Sequence, residues 1–128
     1  MITVLLADDH PLIRKGFRLI LDAEPDIEVA GEAGDGSAAV ARCRELRPDV
    51  VLMDVRMPGR DGVSVLEEMG NPPPHVILMT AYAQEERLRT AVEANAFAII
   101  YKPFETRRML GLVAEASQAV KERSQAAE

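Results

Sequence analysis

Five short apolar runs recur along the chain, and most are followed by a stretch whose apolar residues have helical spacing. The runs lie at residues 2–7, 27–31, 49–53, 75–80 and 97–101. Runs of this length, rich in Val, Ile and Leu, are typical of β-strands, and their alternation with helices is typical of repeated βαβ units. The pattern therefore predicts a five-stranded parallel sheet with helices on both faces.

The polar residues in each run indicate whether its strand lies at the edge or in the interior of the sheet. Residues 50–53 and 76–79 are apolar throughout, whereas residues 27–30 include the polar Glu28. Continuous runs suit the interior of a parallel sheet, and an interrupted run suits an edge strand. The order 2-1-3-4-5 of a doubly wound, flavodoxin-like α/β fold satisfies this pattern and sets strands one and three side by side.

Apolar residues at helical spacing mark the inner face of each predicted helix. They are Ile13, Phe17, Ile20 and Leu21, then Ala39, Val40, Cys43 and Leu46, then Val63, Leu66 and Met69, then Leu88, Ala91 and Val92, and finally Met109, Leu110, Val113, Ala116 and Val120. Leu12, Leu19 and Leu112 lie outside these faces, on the first and fifth helices. We expect them to be exposed, which makes these two helices a candidate homodimer surface.

The length of 128 residues suits one domain with its own core. We assign residues 1–120 to this domain and residues 121–128 to a helix end or the start of a linker. The single cysteine fits a reducing compartment, so the cytoplasm is the expected location. The apolar runs are too short to span a membrane, and the net charge of −6 offers no overall basic footprint for nucleic acid.

Carboxylates end the first and third predicted strands. Asp8 and Asp9 follow the first apolar run, and Asp54 ends the third. Active sites of open α/β sheets lie at the carboxyl ends of the strands, so the three acids should meet there. Each close pair of carboxylates repels by about 4 kcal/mol at an effective dielectric of about 20, so the cluster requires a cation. Mg²⁺, or Mn²⁺ in its place, suits the cluster, with Asp9 and Asp54 as direct ligands and Asp8 held through water.

A hydroxyl and an ammonium group complete this edge of the sheet. Thr80 follows the fourth apolar run, and Lys102 follows the fifth. A phosphoryl group on Asp54 would be held by the dication, the Lys102 ammonium and the Thr80 hydroxyl together.

This combination resembles the receiver domain of two-component response regulators. The matching residues, in chain order, are Asp8-Asp9, Asp54 with Met57-Pro58 and Gly62 behind it, Thr80-Ala81, and Lys102-Pro103. Within the family, residues 5–14, 29–33 and 47–54 are most similar to LuxR/NarL-type regulators. The resemblance implies Asp54 as phosphoacceptor, Asp8 and Asp9 as the metal pair, the Arg56 backbone carbonyl as a further metal ligand, Thr80 as the switch hydroxyl and Lys102 as the phosphate partner. It also implies a cis peptide between Lys102 and Pro103.

The function implied by this resemblance is a phosphorylation switch and not an enzyme for outside substrates. Asp54 would accept a phosphoryl group from a histidine kinase, and the domain would supply its own autophosphatase chemistry. Transcription would be controlled through an attached or partner output domain. Contact with DNA would require a helix-turn-helix domain that this chain does not contain.

Three other classes of function are alternatives to a phosphorylation switch. The intact acids and Lys102 argue against a receiver-like interaction module that is never phosphorylated, but Ile99, which stands where the family usually has an aromatic residue, leaves this alternative open. A phosphohydrolase with an aspartyl nucleophile would place a second acid where this chain has Arg56. A flavin carrier of the same fold would need a phosphate-binding first loop, from which Asp8 and Asp9 would repel the ligand.

Overall fold

A computed structural model describes residues 1–60, 62–70, 73–81, 96–102 and 105–127 of the chain. Its elements, in chain order, are β1 (Ile2–Ala7), α1 (Pro11–Asp22), β2 (Ile27–Ala33), α2 (Gly36–Leu46), β3 (Val50–Asp54), a short 3-10 helix (Leu66–Glu68), β4 (His75–Thr80), β5 (Ala98–Tyr101) and α3 (Thr106–Ala127). The fourth predicted helix, around residues 88–92, and the predicted cis peptide at Pro103 lie outside the described residues. None of the helices in these ranges is long and apolar enough to cross a membrane.

The five strands form one sheet in the order β2-β1-β3-β4-β5, with every neighbouring pair parallel. The predicted fold class, strand order and edge position of β2 are therefore confirmed. Ala7 of β1 is the register partner of Met53 in β3, and Asp54 of β3 is the partner of Met79 in β4. The ends of the strands consequently share one edge of the sheet.

Apolar side chains cover both faces of the sheet, because successive strand residues point to opposite sides. One face packs against α2 and the 3-10 segment through Ala39, Val40, Cys43, Val65, Leu66 and Met69. The other face packs against α1 and α3 through Leu21, Met109, Leu112, Val113 and Ala116. The sheet is therefore packed between two helical layers. This packing fixes the positions of the residues just beyond the strand ends.

Helix α2 has a defined start and end. The Asp35 side chain accepts a hydrogen bond from the backbone N–H of Ala38 at 2.7 Å, which caps its amino end. The helix ends at Arg47, whose φ of 47° is left-handed and whose N–H donates to the Cys43 carbonyl at 2.9 Å. The turn sends the chain into β3.

The prediction of a third α-helix is wrong. Where helical spacing over residues 63–69 predicts an α-helix, the structure has turns and the 3-10 helix Leu66–Glu68. The segment lies between Gly62 and Gly70 and begins with the β-branched Val63, so it is too short to propagate an α-helix although good helix formers follow. Its apolar side chains still reach the core, since Leu66 and Met69 are buried.

Two expectations about helix faces are also wrong. Leu112 is 5% exposed and belongs to the core against the sheet, so it cannot be part of a homodimer surface. Ile13 is 39% exposed, and α1 instead packs through Phe17, Ile20 and Leu21. Leu112 and Ile13 lie at the borders of the apolar stripes, where helical spacing alone does not define how far a helix rolls toward the sheet.

Candidate functional site

Two carboxylates lie side by side at the carboxyl ends of the adjacent strands β1 and β3. Because Ala7 pairs with Met53, the following residues, Asp8 and Asp54, are neighbours at the sheet edge. Asp8 is 2% exposed and Asp54 is 5% exposed, which is rare for carboxylates unless they are paired. The backbone N–H of Asp8 also donates to the Ala33 carbonyl at 3.0 Å, which fixes its position against β2.

Both carboxylate oxygens of Asp54 accept hydrogen bonds. Oδ1 accepts from the backbone N–H of Arg56 at 3.0 Å. Oδ2 accepts from the Lys102 ammonium at 2.7 Å, which is also an ion pair. Lys102 is itself tied to β4, because its backbone N–H donates to the Thr80 carbonyl at 2.7 Å. The structure thus brings together Asp54, Lys102 and Thr80, whose side chain is buried at the end of β4.

Two buried carboxylate oxygens at this edge have no hydrogen-bond partner among the described residues, namely Asp8 Oδ2 and Asp9 Oδ1. Asp8 Oδ1, in contrast, accepts from the backbone N–H of His10 at 2.8 Å. Asp9 Oδ1 lies 2.9 Å from His10 Nδ1 without the geometry of a hydrogen bond. Buried acceptors without donors are costly, and a dication would satisfy both oxygens.

Asp8, Asp9 and His10 each offer one ligand atom, and these atoms all lie within 4.8 Å of one another. The donor set of carboxylate oxygens fits Mg²⁺ or Mn²⁺. Burial raises the pKa of Asp8 above its usual range, and the negative charge of Asp54 raises it further, while the hydrogen bonds from His10 act in the opposite direction. A bound dication would favour the ionised form of Asp8.

The loop after β3 supports the Asp54 backbone. The N–H of Gly62 donates to the Val55 carbonyl at 2.9 Å, which folds the loop back on the strand end. A Cβ atom at Gly62 would lie 2.7 Å from the Asp54 carbonyl oxygen, so this position accepts no side chain without movement. Met57 anchors the same loop in the core. The loop therefore fixes Arg56, whose N–H reaches the Asp54 carboxylate.

Two residues near the acids were not predicted as site residues from the sequence. His10 is exposed but contacts both Asp8 and Asp9. Arg14 donates from Nη1 to the Asp8 carbonyl and from Nε to Glu32 Oε1, the latter at 3.1 Å. The available signal was the spacing of His10 and Arg14, four residues apart at the start of a helix, which places both on one face near the strand end.

Comparison with protein families matches the response regulator receiver domain over residues 4–114. The chain belongs to this family. A similar receiver is the domain of NarL from Mycobacterium tuberculosis, with a TM-score of 0.81 and 31% identity over 94% of this chain and 96% of that one. The predicted resemblance to LuxR/NarL-type receivers is thereby confirmed.

Two curated relatives with different named activities match this chain over only part of their own length. The transcriptional regulatory protein LiaR of Bacillus subtilis is 38% identical over 120 residues, which is 92% of this chain and 57% of LiaR. A protein-glutamate methylesterase/protein-glutamine glutaminase of Syntrophomonas wolfei is 43% identical over 106 residues, 80% of this chain and 30% of that protein. The chain thus spans about half or less of the length of these relatives, and the matched part is the regulatory receiver.

Proposed function

We propose that this receiver is a phosphorylation-dependent switch in which Asp54 accepts a phosphoryl group from a histidine kinase. The observation that carries the proposal is the environment of Asp54. Its carboxylate is buried, with one oxygen 2.7 Å from the Lys102 ammonium and the other 3.0 Å from the Arg56 N–H. These donors hold the Asp54 carboxylate in one orientation, as an oxygen nucleophile requires.

In the transfer step, one Asp54 oxygen attacks phosphorus while the bond from phosphorus to the histidine nitrogen breaks, and the electron pair of that bond returns to the imidazole. Lys102 then moves from the carboxylate to a phosphoryl oxygen, and the Thr80 hydroxyl donates to another. Asp8, Asp9, Asp54 and the Arg56 carbonyl would hold Mg²⁺ or Mn²⁺, which neutralises charge on the phosphoryl group when it is bound. Hydrolysis of the acyl phosphate by water releases phosphate and restores Asp54.

The output of this switch is transcription, reached through a helix-turn-helix domain. The name of LiaR and the share of its length that this chain covers support this assignment. The net charge of −6 supports it too, because the receiver as a whole would repel DNA. The histidine kinase and the output domain are therefore the partners to look for.

A receiver that is never phosphorylated is the second candidate. Ile99 favours it, because the residue is a partly buried aliphatic at the core margin and not the aromatic that usually senses the phosphoryl group. An aspartyl phosphohydrolase is the third, and it would need an acid in place of Arg56, whose side chain is exposed. The state of Asp54 after exposure to a phosphodonor separates the first two.

The test is incubation with Mg²⁺ and acetyl phosphate, followed by intact-mass spectrometry. We expect one phosphoryl group, stable in acid and labile in base, on the parent protein and none on Asp54→Asn. Asp35→Asn, which changes an acid at the start of α2, is the matched control and should be modified like the parent. Absence of an adduct would favour the unphosphorylated module, and an adduct that survives Asp54→Asn would place the phosphoryl group on another residue.

We also propose that phosphorylation promotes self-association through α1. Leu12 and Leu19 are 81% and 66% exposed and lie seven residues apart, hence on one face of the helix. A tenfold gain in dimer affinity needs only about 1.4 kcal/mol. Sedimentation should show tighter dimers after phosphorylation and loss of the gain in Leu19→Asp. A monomer in both states would exclude the dimer, and a dimer unaffected by Leu19→Asp would place it elsewhere.

A further inference from the structure

A cavity of about 390 Å³ lies at the edge of the sheet opposite Asp54. It is bounded by the end of α2, the residues before β3 and β4, and the far part of α3. Asp49 in its wall precedes β3 and Asp54 ends that strand, so at about 3.3 Å per residue the two are roughly 16 Å apart. Small-molecule sites have volumes of about 300–1,000 Å³, so the cavity can hold a ligand without involving Asp54.

Three arginines line this cavity, although the whole chain has a net charge of −6. Arg44 and Arg47 come from the end of α2, and Arg123 comes from α3. One lining acid, Asp49, is directed at β1, since its Oδ2 accepts from the N–H of Thr3 at 3.0 Å and from the Thr3 hydroxyl at 3.1 Å. The charge around the cavity is therefore positive.

Two of these guanidinium groups are held in place by backbone carbonyls. Arg44 Nε donates to the Glu68 carbonyl at 3.1 Å. Arg123 Nη1 donates to the Pro73 carbonyl at 3.1 Å, and its Nη2 lies 3.0 Å from His75 Nδ1. A guanidinium has five N–H donors, so these contacts fix the groups and leave donors for a ligand. Ordering them on binding therefore costs little entropy.

Between the arginines the wall is uncharged. Met69 and Pro74 are buried there, and Val120 is partly buried. The Cys43 thiol donates to the Met69 carbonyl at 3.0 Å, and burial raises its pKa to about 11, so it is neutral near pH 7. A ligand that fills this space needs an apolar body as well as a negative group.

We propose that this cavity binds a small organic anion, with its carboxylate or phosphate group on the arginines and its apolar body against Met69 and Val120. Arginine pairs with both kinds of anion through two parallel hydrogen bonds. The cavity gives the domain a small-molecule input that is separate from phosphorylation of Asp54. Because α3 lines the cavity, the ligand would bridge the carboxyl-terminal helix and the loop before β4.

The test is an NMR titration of the unmodified protein without Mg²⁺, using benzoate, phenyl phosphate and inorganic phosphate in separate experiments. We expect saturable shifts of the Nε–Hε signals of Arg44, Arg47 and Arg123 with at least one aromatic anion, and the tighter of the two identifies the preferred charged group. Shifts that do not saturate, or that avoid these arginines, would overturn the proposal. Equal affinity for inorganic phosphate and phenyl phosphate would exclude a role for the apolar wall.

Variants separate this cavity from other anion sites. Arg47→Asn should weaken binding about tenfold, equivalent to about 1.4 kcal/mol, and Asn tolerates the left-handed backbone at that position. Arg42→Gln is the matched control, because Arg42 is exposed on α2 and lies 3.6 Å from Glu45 instead of in the cavity. Asp54→Asn should bind like the parent, so failure of the phosphorylation proposal would not affect this one. Unchanged affinity in both Arg47→Asn and Arg123→Gln would refute the site.

Discussion

Lys102 Nζ lies 2.7 Å from Asp54 Oδ2, so the first residue after β5 neutralises the last residue of β3. The two residues are 48 positions apart in the chain, and β4 lies between their strands. The Lys102 ammonium thereby offsets the negative charge of the buried Asp54 carboxylate. The ion pair also connects any change at Asp54 to β5, and this connection leads to the first prediction.

Lys102→Ala should still be phosphorylated by acetyl phosphate, but its structural response should be smaller. Charge on the phosphoryl group is neutralised mainly by the dication, whereas Lys102 links that group to β5. Adduct yield by intact mass and amide shifts by NMR measure the two effects separately. Lys121→Ala, at an exposed lysine on α3, is the control. Normal phosphorylation together with a normal NMR response in Lys102→Ala would contradict this role.

Asp9→Ala should lower Mg²⁺ affinity at least about tenfold and prevent phosphorylation by acetyl phosphate. The reason is that Asp9 Oδ1 is a buried acceptor without a donor among the described residues, as a metal ligand would be. Titration with Mg²⁺, followed by NMR, measures the affinity. Asp22→Ala removes an exposed acid of α1 and should titrate like the parent. An unchanged Mg²⁺ titration of Asp9→Ala would remove Asp9 from the ligand set.

His75 should make the protein less stable as the pH falls below about 6.5, the ordinary pKa of histidine. Burial lowers the pKa of His75 in the folded protein, and the nearby charge of Arg123 lowers it further. The unfolded chain therefore binds the proton first, and the free energy of unfolding decreases with falling pH. Urea unfolding of the parent and of His75→Gln between pH 5 and 8 should show that the parent loses stability relative to the variant as the pH falls. Parallel curves would show that His75 titrates normally.

Leu112→Ala should lower the free energy of unfolding by about 2–5 kcal/mol, because a buried leucine leaves a cavity. Leu12→Ala on α1 should change it by less than about 0.5 kcal/mol, because that side chain is 81% exposed. Urea unfolding monitored by circular dichroism measures both. Similar values for the two variants would mean that α3 does not pack against the sheet through Leu112.

Gly62→Ala should destabilise the protein by about 1–3 kcal/mol and slow phosphorylation of Asp54. The added Cβ would lie 2.7 Å from the Asp54 carbonyl oxygen, so the loop or the strand end must move. Gly16→Ala is the control, since no atom lies within 4 Å of its added Cβ and alanine favours the helix by about 0.5–1 kcal/mol. Unfolding and intact-mass time courses test both variants. A neutral Gly62→Ala would show that the loop can relax freely.

Much of the fold follows from local sequence. Uninterrupted apolar runs such as residues 50–53 favour a strand covered on both faces, and Glu28 in the second run favours an edge position, so the sequence restricts the possible strand orders. The same pattern places Asp8 and Asp54 at the carboxyl ends of neighbouring strands, where they do lie. These predictions succeed because the two-residue period and the length of a strand are set by the backbone itself.

Only the tertiary structure determined which helix residues are buried and which distant residues are in contact, because both depend on how the helices pack against the sheet. Helical spacing could not place Leu112 inside or Ile13 outside, because a border residue is buried or exposed by a small rotation of the helix. The missing α-helix over residues 63–69 has a local cause instead, because Gly62 and Gly70 leave a segment too short to propagate one. Contacts between distant residues, such as Arg123 with Pro73, arise where loops and helix ends meet. The spacing of apolar residues along the chain does not predict such contacts, because they depend on the packing of the whole sheet and its helices.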